Sequence, residues 1–122
     1  QDVHSDDMLD ILRQIEKQGN LKTRIYDCIY LFDWQKLVNR GIRRATGDTM
    51  IRQGCLKHYS DGDEEEIPEL YEIIKTADKA DLQVMMHAIG GSANNVILTI
   101  YEKILKENRI KDRRFRIEHA HN

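Results

Sequence analysis

The stretch LQVMMHAIG, residues 82–90, decides the fold of this chain. It is an almost unbroken apolar run of strand length, which is typical of a strand buried on both faces of a parallel sheet. Directly after it, apolar residues recur at helical spacing and predict a helix with Ser92 or Asn94 as its N-cap. The apolar side of this helix consists of Val96, Ile97, Ile100, Ile104 and Leu105. A buried strand followed by such a helix is the repeating unit of α/β proteins.

The same alternation extends to both sides of this unit. The sequence predicts a helix at 8–15 after Ser5, a strand at 23–32, a short helix at 34–38, a strand at 50–62, a helix at 68–77 and a final strand at 114–120. Such alternation implies crossover connections and parallel strands, so we predict an α/β fold. Periodicity leaves two architectures open, which are part of a TIM-type (βα)8 barrel and a small doubly wound sheet.

Length and composition exclude several classes of protein. A chain of 122 residues, 40% of them apolar, predicts one domain over 1–122. With 19 basic and 21 acidic residues and a net charge of -2, it lacks the field that attracts nucleic acid or an anionic membrane. No apolar run is long enough for a membrane span, and the first residues lack a signal-peptide pattern. Cys28 and Cys55 are too few for a disulfide framework, so we expect a cytoplasmic protein.

Both ends of the sequence resemble cut ends. The chain opens on Gln1 and stops at Asn122, directly after a strand-like run. Domains usually close with a docked element or a polar tail. We therefore expect an internal piece of a longer protein.

Three basic or metal-capable side chains, Lys57, His87 and His119, lie at or near the ends of predicted strands. In parallel α/β folds the functional groups gather at the carboxyl ends of the strands. His87 interrupts an apolar run, and burying an imidazole costs free energy unless the ring is hydrogen-bonded or binds a metal. The alternative is a hydrogen-bonded structural role for each histidine and a solvated charge for Lys57.

His119 and His121 are two residues apart and are expected to share one face of the last strand, with Glu118 on the other. They could form a small HxH pair of metal ligands. The alternative is a frayed end of the chain with two solvent-exposed imidazoles.

Several motifs resemble those of the amidohydrolase superfamily, in particular metal-dependent hydrolases of the amidohydrolase family 3 type. MHAIGGSANNVILTIYE (86–102) is similar to the family's segment after strand five, and RFRIEHAH (114–121) is similar to its strand six. GDTMIRQGCLKHYSDG (47–62) resembles its strand four, and DVHSDDML (2–9) resembles the end of strand three. The motifs follow the family's order, so the resemblance implies an internal fragment covering roughly strands three to six of the barrel.

The resemblance also implies roles for the three candidate residues. His87 and His119 would be the imidazole ligands of strands five and six, and Lys57 would be the strand-four lysine that is carboxylated in many relatives. This mixed set suits one or two divalent ions, zinc or a similar metal. In the family the metal polarises a scissile carbonyl and lowers the pKa of the water that attacks it. The implied substrate is a small molecule with an amide or related non-peptide carbon–nitrogen bond.

Departures from the family pattern limit this interpretation. The HxH pair of strand one and the Asp of strand eight are absent from these residues, and Gly91 stands where the family usually has Asp. We therefore expect the isolated chain to be inactive and to self-associate through exposed barrel edges. The alternative is a non-catalytic α/β module that binds a small molecule or an anion at a helix N-terminus formed by Gly90, Gly91 and Ser92.

Overall fold

The computed structural model describes residues 6–109 and 112–121. The helices are α1 (Asp6–Lys17), α2 (Trp34–Asn39), α3 (Ile67–Lys79) and α4 (Gly91–Glu107). The strands are β1 (Ile25–Tyr30), β2 (Thr46–Gly47), β3 (Ile51–Ser60), β4 (Gln83–Ile89) and β5 (Arg116–His121). Ser5, after which the first helix was predicted, lies outside the described residues.

Four strands form a parallel sheet in the order of the chain, β1-β3-β4-β5, and the short β2 pairs antiparallel with β3. Each parallel connection contains one helix, because α2, α3 and α4 follow β1, β3 and β4. The prediction of an α/β fold with parallel strands is therefore confirmed. Within the described residues the sheet is open, and β1 and β5 are its edges.

The main hydrophobic core lies between α2–α4 and one face of the sheet. β4 supplies Val84, Met86 and Ala88 to this core, and each of them is 0% exposed. The helices supply a larger set, which consists of Leu37, Leu70, Ile74, Ala77, Val96, Ile97, Ile100 and Ile104. The sheet therefore winds in one direction, with its crossover helices on one face. A doubly wound sheet reverses direction and has helices on both faces, so this alternative does not describe the observed arrangement.

The opposite face of the sheet carries a smaller cluster of Cys28, Cys55 and Met85, with Tyr26 packed against it. We call it the cysteine face. Cys28 on β1 is in register with Cys55 on β3, and both are free thiols. Met85 is 3% exposed, so β4 is buried on both faces, as its unbroken apolar sequence predicts.

The pairing of β2 with β3 was not predicted from the sequence. Thr46 lies opposite Gln53, but a two-residue strand is too short to show the alternation by which strands are recognised. Gly54 permits the close approach, because its φ is +102° and a Cβ at this position would lie 2.1 Å from the Arg43 carbonyl oxygen. The segment 43–47 therefore packs directly on β3.

Two predicted features of the helices are wrong. The N-cap of α4 is Gly90, which has a φ of 88°, rather than Ser92 or Asn94. Leu105 was placed on the apolar side of α4, but it is 56% exposed.

The strand predicted at 23–32 ends earlier, at Tyr30, where the chain enters a 3-10 turn. No described helix combines the length and the apolar character that a membrane crossing requires.

Candidate metal site at the strand ends

The carboxyl ends of β3, β4 and β5 bring the three predicted site residues to one end of the sheet. Lys57 is in register with Met85, two residues before His87 on β4. His87 is in register with Glu118, the residue before His119. Paired residues of neighbouring strands point to the same face, so Lys57 and His87 both lie on the cysteine face.

Lys57 is buried rather than solvated. It is 2% exposed and is among the largest fully buried side chains of the described residues. Its Nζ lies 5.7 Å from the centroid of the Tyr59 ring, which is a cation–π contact. Burying the amine of a lysine costs free energy unless a partner compensates for it. The structure therefore does not support a solvated charge at this position.

His87 occupies the centre of the group. Its ring centroid lies 5.2 Å from that of Tyr59 and 4.5 Å from that of His119. The Nδ1 atom of His87 is buried and has no hydrogen-bond partner among the described residues. An imidazole held by hydrogen bonds at both nitrogens would be a structural residue, and this Nδ1 lacks such a bond. The atom is thus suited to bind a ligand.

His119 reaches His87 because the backbone of β5 departs from a regular strand. The φ angles are 72° at His119 and 50° at Ala120, both in the left-handed region. The register shifts at the same place, so that Ala88 pairs with His119 and Ile89 with His121. This irregularity turns the His119 ring toward the cysteine face, where it packs edge-on against His87.

Glu118 was expected on the face opposite His119, and this prediction is wrong. Glu118 is in register with His87 and therefore shares the cysteine face with it. Its Oε1 atom lies 2.8 Å from Nη2 of Arg116, two residues earlier on the same strand. This contact is an ion pair without hydrogen-bond geometry, because the same Oε1 has no hydrogen-bond partner. The strict alternation of a strand does not survive at the end of β5.

His121 continues the row of rings, since its centroid lies 6.2 Å from that of His119. Its carbonyl oxygen accepts a hydrogen bond from the Gly90 N–H at 2.7 Å. This bond ties the end of β5 to the start of α4. The row Lys57, Tyr59, His87 and His119, here called the strand-end cluster, is therefore anchored on three neighbouring strands.

The fit of a metal ion to the strand-end cluster is partial. No three His, Cys, Asp or Glu side chains within 6–109 and 112–121 lie together in a way that could hold a metal. His87 and His119 provide two imidazoles, and the buried Nδ1 of His87 suits coordination. The remaining candidate, Lys57, becomes a metal ligand only if its amine is carboxylated. The described residues thus supply part of a ligand set, and a divalent ion would need further ligands from elsewhere.

At the start of α4, where an anion was the alternative ligand, several polar groups make internal contacts. The Gly90 N–H donates to His121, as described above. The Ser92 hydroxyl donates to the Gly62 carbonyl at 3.2 Å, and the Asn94 amide donates to the Gly90 carbonyl at 2.8 Å. Fewer groups are left for an anion than the sequence suggested.

Two features of this region were missed in the sequence. Tyr59 bridges Lys57 and His87, but alternate strand positions alone do not indicate which rings touch. Cys28 and Cys55 lie side by side although 27 positions separate them, and the neighbouring Cys28 thiol, followed by burial, raises the pKa of the Cys55 thiol. Both features depend on strand register, which sequence spacing does not give.

Comparison with known proteins adds one short similarity. A segment of this chain is 59% identical over 44 residues to the Arabidopsis thaliana protein LONG AFTER FAR-RED 3. The match covers 36% of this chain but only 8% of that protein, whose name refers to far-red light and states no reaction. No family model and no solved structure matches the chain. The class that the structure defines is an α/β protein whose described strands form an open, mainly parallel sheet.

Proposed function

We propose that this chain is part of a metal-dependent hydrolase of the amidohydrolase type, which acts on non-peptide carbon–nitrogen bonds such as amides. Lys57, His87 and His119 are its proposed metal-binding residues, and zinc is the preferred ion. The observation that carries this proposal is the meeting of His87 and His119, with ring centroids 4.5 Å apart, at the carboxyl ends of adjacent strands.

The winding of the sheet supports a barrel origin. Strands in chain order with crossover helices on one face are the arrangement of a (βα)8 barrel, in which successive strands add in one direction until the sheet closes. The cysteine face then corresponds to the barrel interior, and its residues Cys28, Cys55 and Met85 are at most 3% exposed. Further strands would close the barrel and supply the missing ligands and the proton-transferring carboxylate that the resemblance implies.

Each residue of the strand-end cluster has a role in this proposal. When bound, the divalent ion supplies Lewis acidity, which polarises an amide carbonyl and lowers the pKa of a water molecule. His87 and His119 would hold the ion through imidazole nitrogens. Lys57 would do so as a carbamate, which forms when the neutral Nζ amine adds carbon dioxide and releases a proton. Tyr59 lies between Lys57 and His87 and orients both side chains through ring contacts.

Zinc titration of the metal-free protein by calorimetry tests the proposal. We expect weak but saturable binding, and a roughly 10-fold or greater loss of affinity in His87→Ala and in His119→Ala. His58→Ala is the matched control, because His58 lies on β3 near the same end but packs against Tyr30 and Phe32 instead. Zinc binding that persists in both cluster variants, or that is lost equally in the control, contradicts the proposal.

The contribution of Lys57 is tested separately. Zinc affinity should increase when bicarbonate is added to the wild-type protein, since bicarbonate supplies the carbon dioxide for carboxylation. The Lys57→Met variant keeps the buried volume but should show no such increase. Phosphate binding that ignores all of these substitutions but is lost in Ser92→Ala would instead favour the anion-binding alternative at α4.

A further inference from the structure

A cavity of about 560 Å³ lies at the end of the sheet opposite the strand-end cluster. Its walls come from the amino ends of the strands, since Ile25 begins β1, Gln83 begins β4 and Arg52 is the second residue of β3. The full lining is Arg24, Ile25, Tyr26, Arg44, Ala45, Thr49, Arg52, Gln83, Asp112 and Arg114. The proposed hydrolase chemistry uses none of these residues.

The cavity is strongly basic in a chain whose net charge is -2. Four of its ten lining residues are arginines, and Asp112 is the single acidic side chain among them. A concave surface with one sign of charge concentrates the electrostatic potential and attracts ions of the opposite sign. The charge therefore favours an anionic ligand.

Three of the arginines are held in place by hydrogen bonds, two of them to residues that do not line the cavity. Arg44 Nη2 donates to Asp81 Oδ1 at 2.9 Å, and Arg52 Nε donates to the Asp48 carbonyl at 2.9 Å. Arg114 forms two bonds with Asp112, at 2.9 and 3.0 Å. A guanidinium has five N–H donors, so each of these side chains is oriented and still keeps donors for a ligand.

Arg24 is the fourth arginine, and it is exposed. It makes no ion pair or hydrogen bond with any residue in the described ranges 6–109 and 112–121. Its five donors are therefore not used within this part of the protein. An unpaired guanidinium that lines a basic cavity can pair with an anionic group.

The backbone of 43–45 is pressed against β3, which brings Arg44 to the cavity. Gly54 allows this contact because it has no Cβ to meet the Arg43 carbonyl. The Tyr26 hydroxyl accepts a hydrogen bond from the Ala45 N–H at 3.3 Å, so its own O–H remains a donor. Burial raises the pKa of Tyr26 to about 12, which keeps this donor protonated at neutral pH.

We propose that this cavity binds a small organic ligand bearing two or more phosphoryl groups. The cavity volume is within the range of small-molecule sites, and it exceeds what a single phosphate would fill. Each guanidinium group can pair with the oxygens of a different phosphoryl group of the ligand. Ile25, Ala45 and the Tyr26 ring provide apolar walls for the organic part.

Asp112 opposes an anion, and its effect is limited by Arg114. The two bonds from Arg114 hold the pKa of the Asp112 carboxyl below its usual range and neutralise its charge. Arg44 is paired with Asp81 in the same way, so Arg24 and Arg52 remain as net positive groups around the space. Nucleic acid is a less suitable ligand, because the charge is confined to a cavity and the chain as a whole is acidic.

Calorimetric titration of the metal-free chain with inorganic pyrophosphate tests the proposal. We expect saturable binding at one site, with tighter binding of pyrophosphate than of inorganic phosphate. The affinity for pyrophosphate should fall roughly 10-fold in Arg24→Ala and in Arg52→Ala, which corresponds to one charge-assisted contact each. Arg109→Ala removes an exposed arginine that does not line the cavity, and it should leave the affinity unchanged.

Arg24→Ala changes an exposed side chain without internal partners, so it is informative even if Arg52→Ala fails to fold. His87→Ala should bind pyrophosphate as the wild type does, which separates this test from the zinc experiment. The proposal is overturned by an absence of saturable binding, or by equal losses in Arg24→Ala and Arg109→Ala. It is also overturned if a short oligonucleotide binds more tightly than pyrophosphate.

Discussion

At the scale of single residues, the backbone at His119 determines which side chains meet at the carboxyl ends of the strands. Regular alternation would place His119 beside Ala88 on the face that packs against the helices. The left-handed φ of 72° turns its ring to His87 instead. Non-glycine residues adopt this conformation at a cost, and such strain occurs often at functional sites.

His58 is the residue for which the structure predicts a pH effect. Its ring packs edge-on against Tyr30 and Phe32, with centroids 5.3 and 5.2 Å away. Burial lowers its pKa below the usual 6.5, and the nearby Glu66 and Glu69 only partly offset this. The unfolded chain therefore binds the proton more readily than the folded protein.

The stability contributed by His58 is consequently present above pH 6.5 and is lost as the pH falls below it. In His58→Phe, which keeps an aromatic ring at this position, the free energy of unfolding should depend less on pH in this window. Denaturant unfolding at a series of pH values measures the difference between the two proteins. Parallel curves for the two proteins would contradict the prediction.

At the scale of elements, a buried polar link joins the ends of α3 and α4 to the segment before β5. Asn108 Nδ2 donates to Asp78 Oδ2 at 2.8 Å and to the Lys75 carbonyl at 3.1 Å. Arg113 Nη2 donates to the Asn108 carbonyl at 2.6 Å, and its Nε lies 3.3 Å from Asp78 Oδ1 as an ion pair without hydrogen-bond geometry. The link fixes how the two helices meet the last strand.

Removing the cation from this link should be costly. Burial raises the pKa of Asp78, and the Asn108 hydrogen bond and the Arg113 charge oppose that rise. Arg113→Met leaves the Asp78 carboxylate buried without its cation, and we expect a loss of about 3–5 kcal/mol in the free energy of unfolding. Chemical denaturation measures this loss.

Lys106→Met is the matched control for the buried ion pair. Lys106 pairs with Glu102 on the outside of α4, where the two side chains are 72% and 66% exposed. Exposed pairs of this kind contribute little, so no measurable destabilisation is expected. Similar losses of unfolding free energy in the two variants would show that burial of the ion pair does not determine its contribution to stability.

At the scale of the whole molecule, the open sheet has two unpaired edges within the described residues, β1 and β5. Unpaired strand edges form hydrogen bonds with other chains unless charge or covering segments prevent it. Tyr30 and Phe32, at the end of the β1 edge, are 38% and 39% exposed and add apolar surface there. Both the unpaired backbone groups of the strand edges and the exposed apolar side chains thus favour self-association.

We expect the isolated chain to self-associate, and light scattering at several concentrations measures this. Tyr30→Lys introduces a charge at the β1 edge and should shift the protein toward monomer. Leu98→Lys is the control, because Leu98 is equally apolar and 57% exposed but lies on α4. A wild-type chain that stays monomeric and unfolds cooperatively would argue against association through the exposed strand edges.

The arrangement of the whole sheet explains how much of the candidate site could be predicted from the sequence. Lys57, His87 and His119 were identified because each lies near the end of a predicted strand, and parallel strands end at the same edge of a sheet. The burial of Lys57 and its contact with Tyr59 could not be predicted in this way. They depend on the packing of neighbouring strands, which positions in the sequence do not record.

The sequence by itself determined the α/β class and the kind and order of the main elements, without the short β2. These properties follow from local periodicity, and β4 illustrates this because its apolar run matches burial on both faces. Only the tertiary structure decided which residues of different elements became neighbours in space. It brought Cys28 to Cys55, turned His119 to His87, and gathered Arg24, Arg44, Arg52 and Arg114 around one cavity. The physical reason is that register, backbone irregularities and cavities arise from contacts between distant segments, whereas periodicity reports only on a residue's own helix or strand.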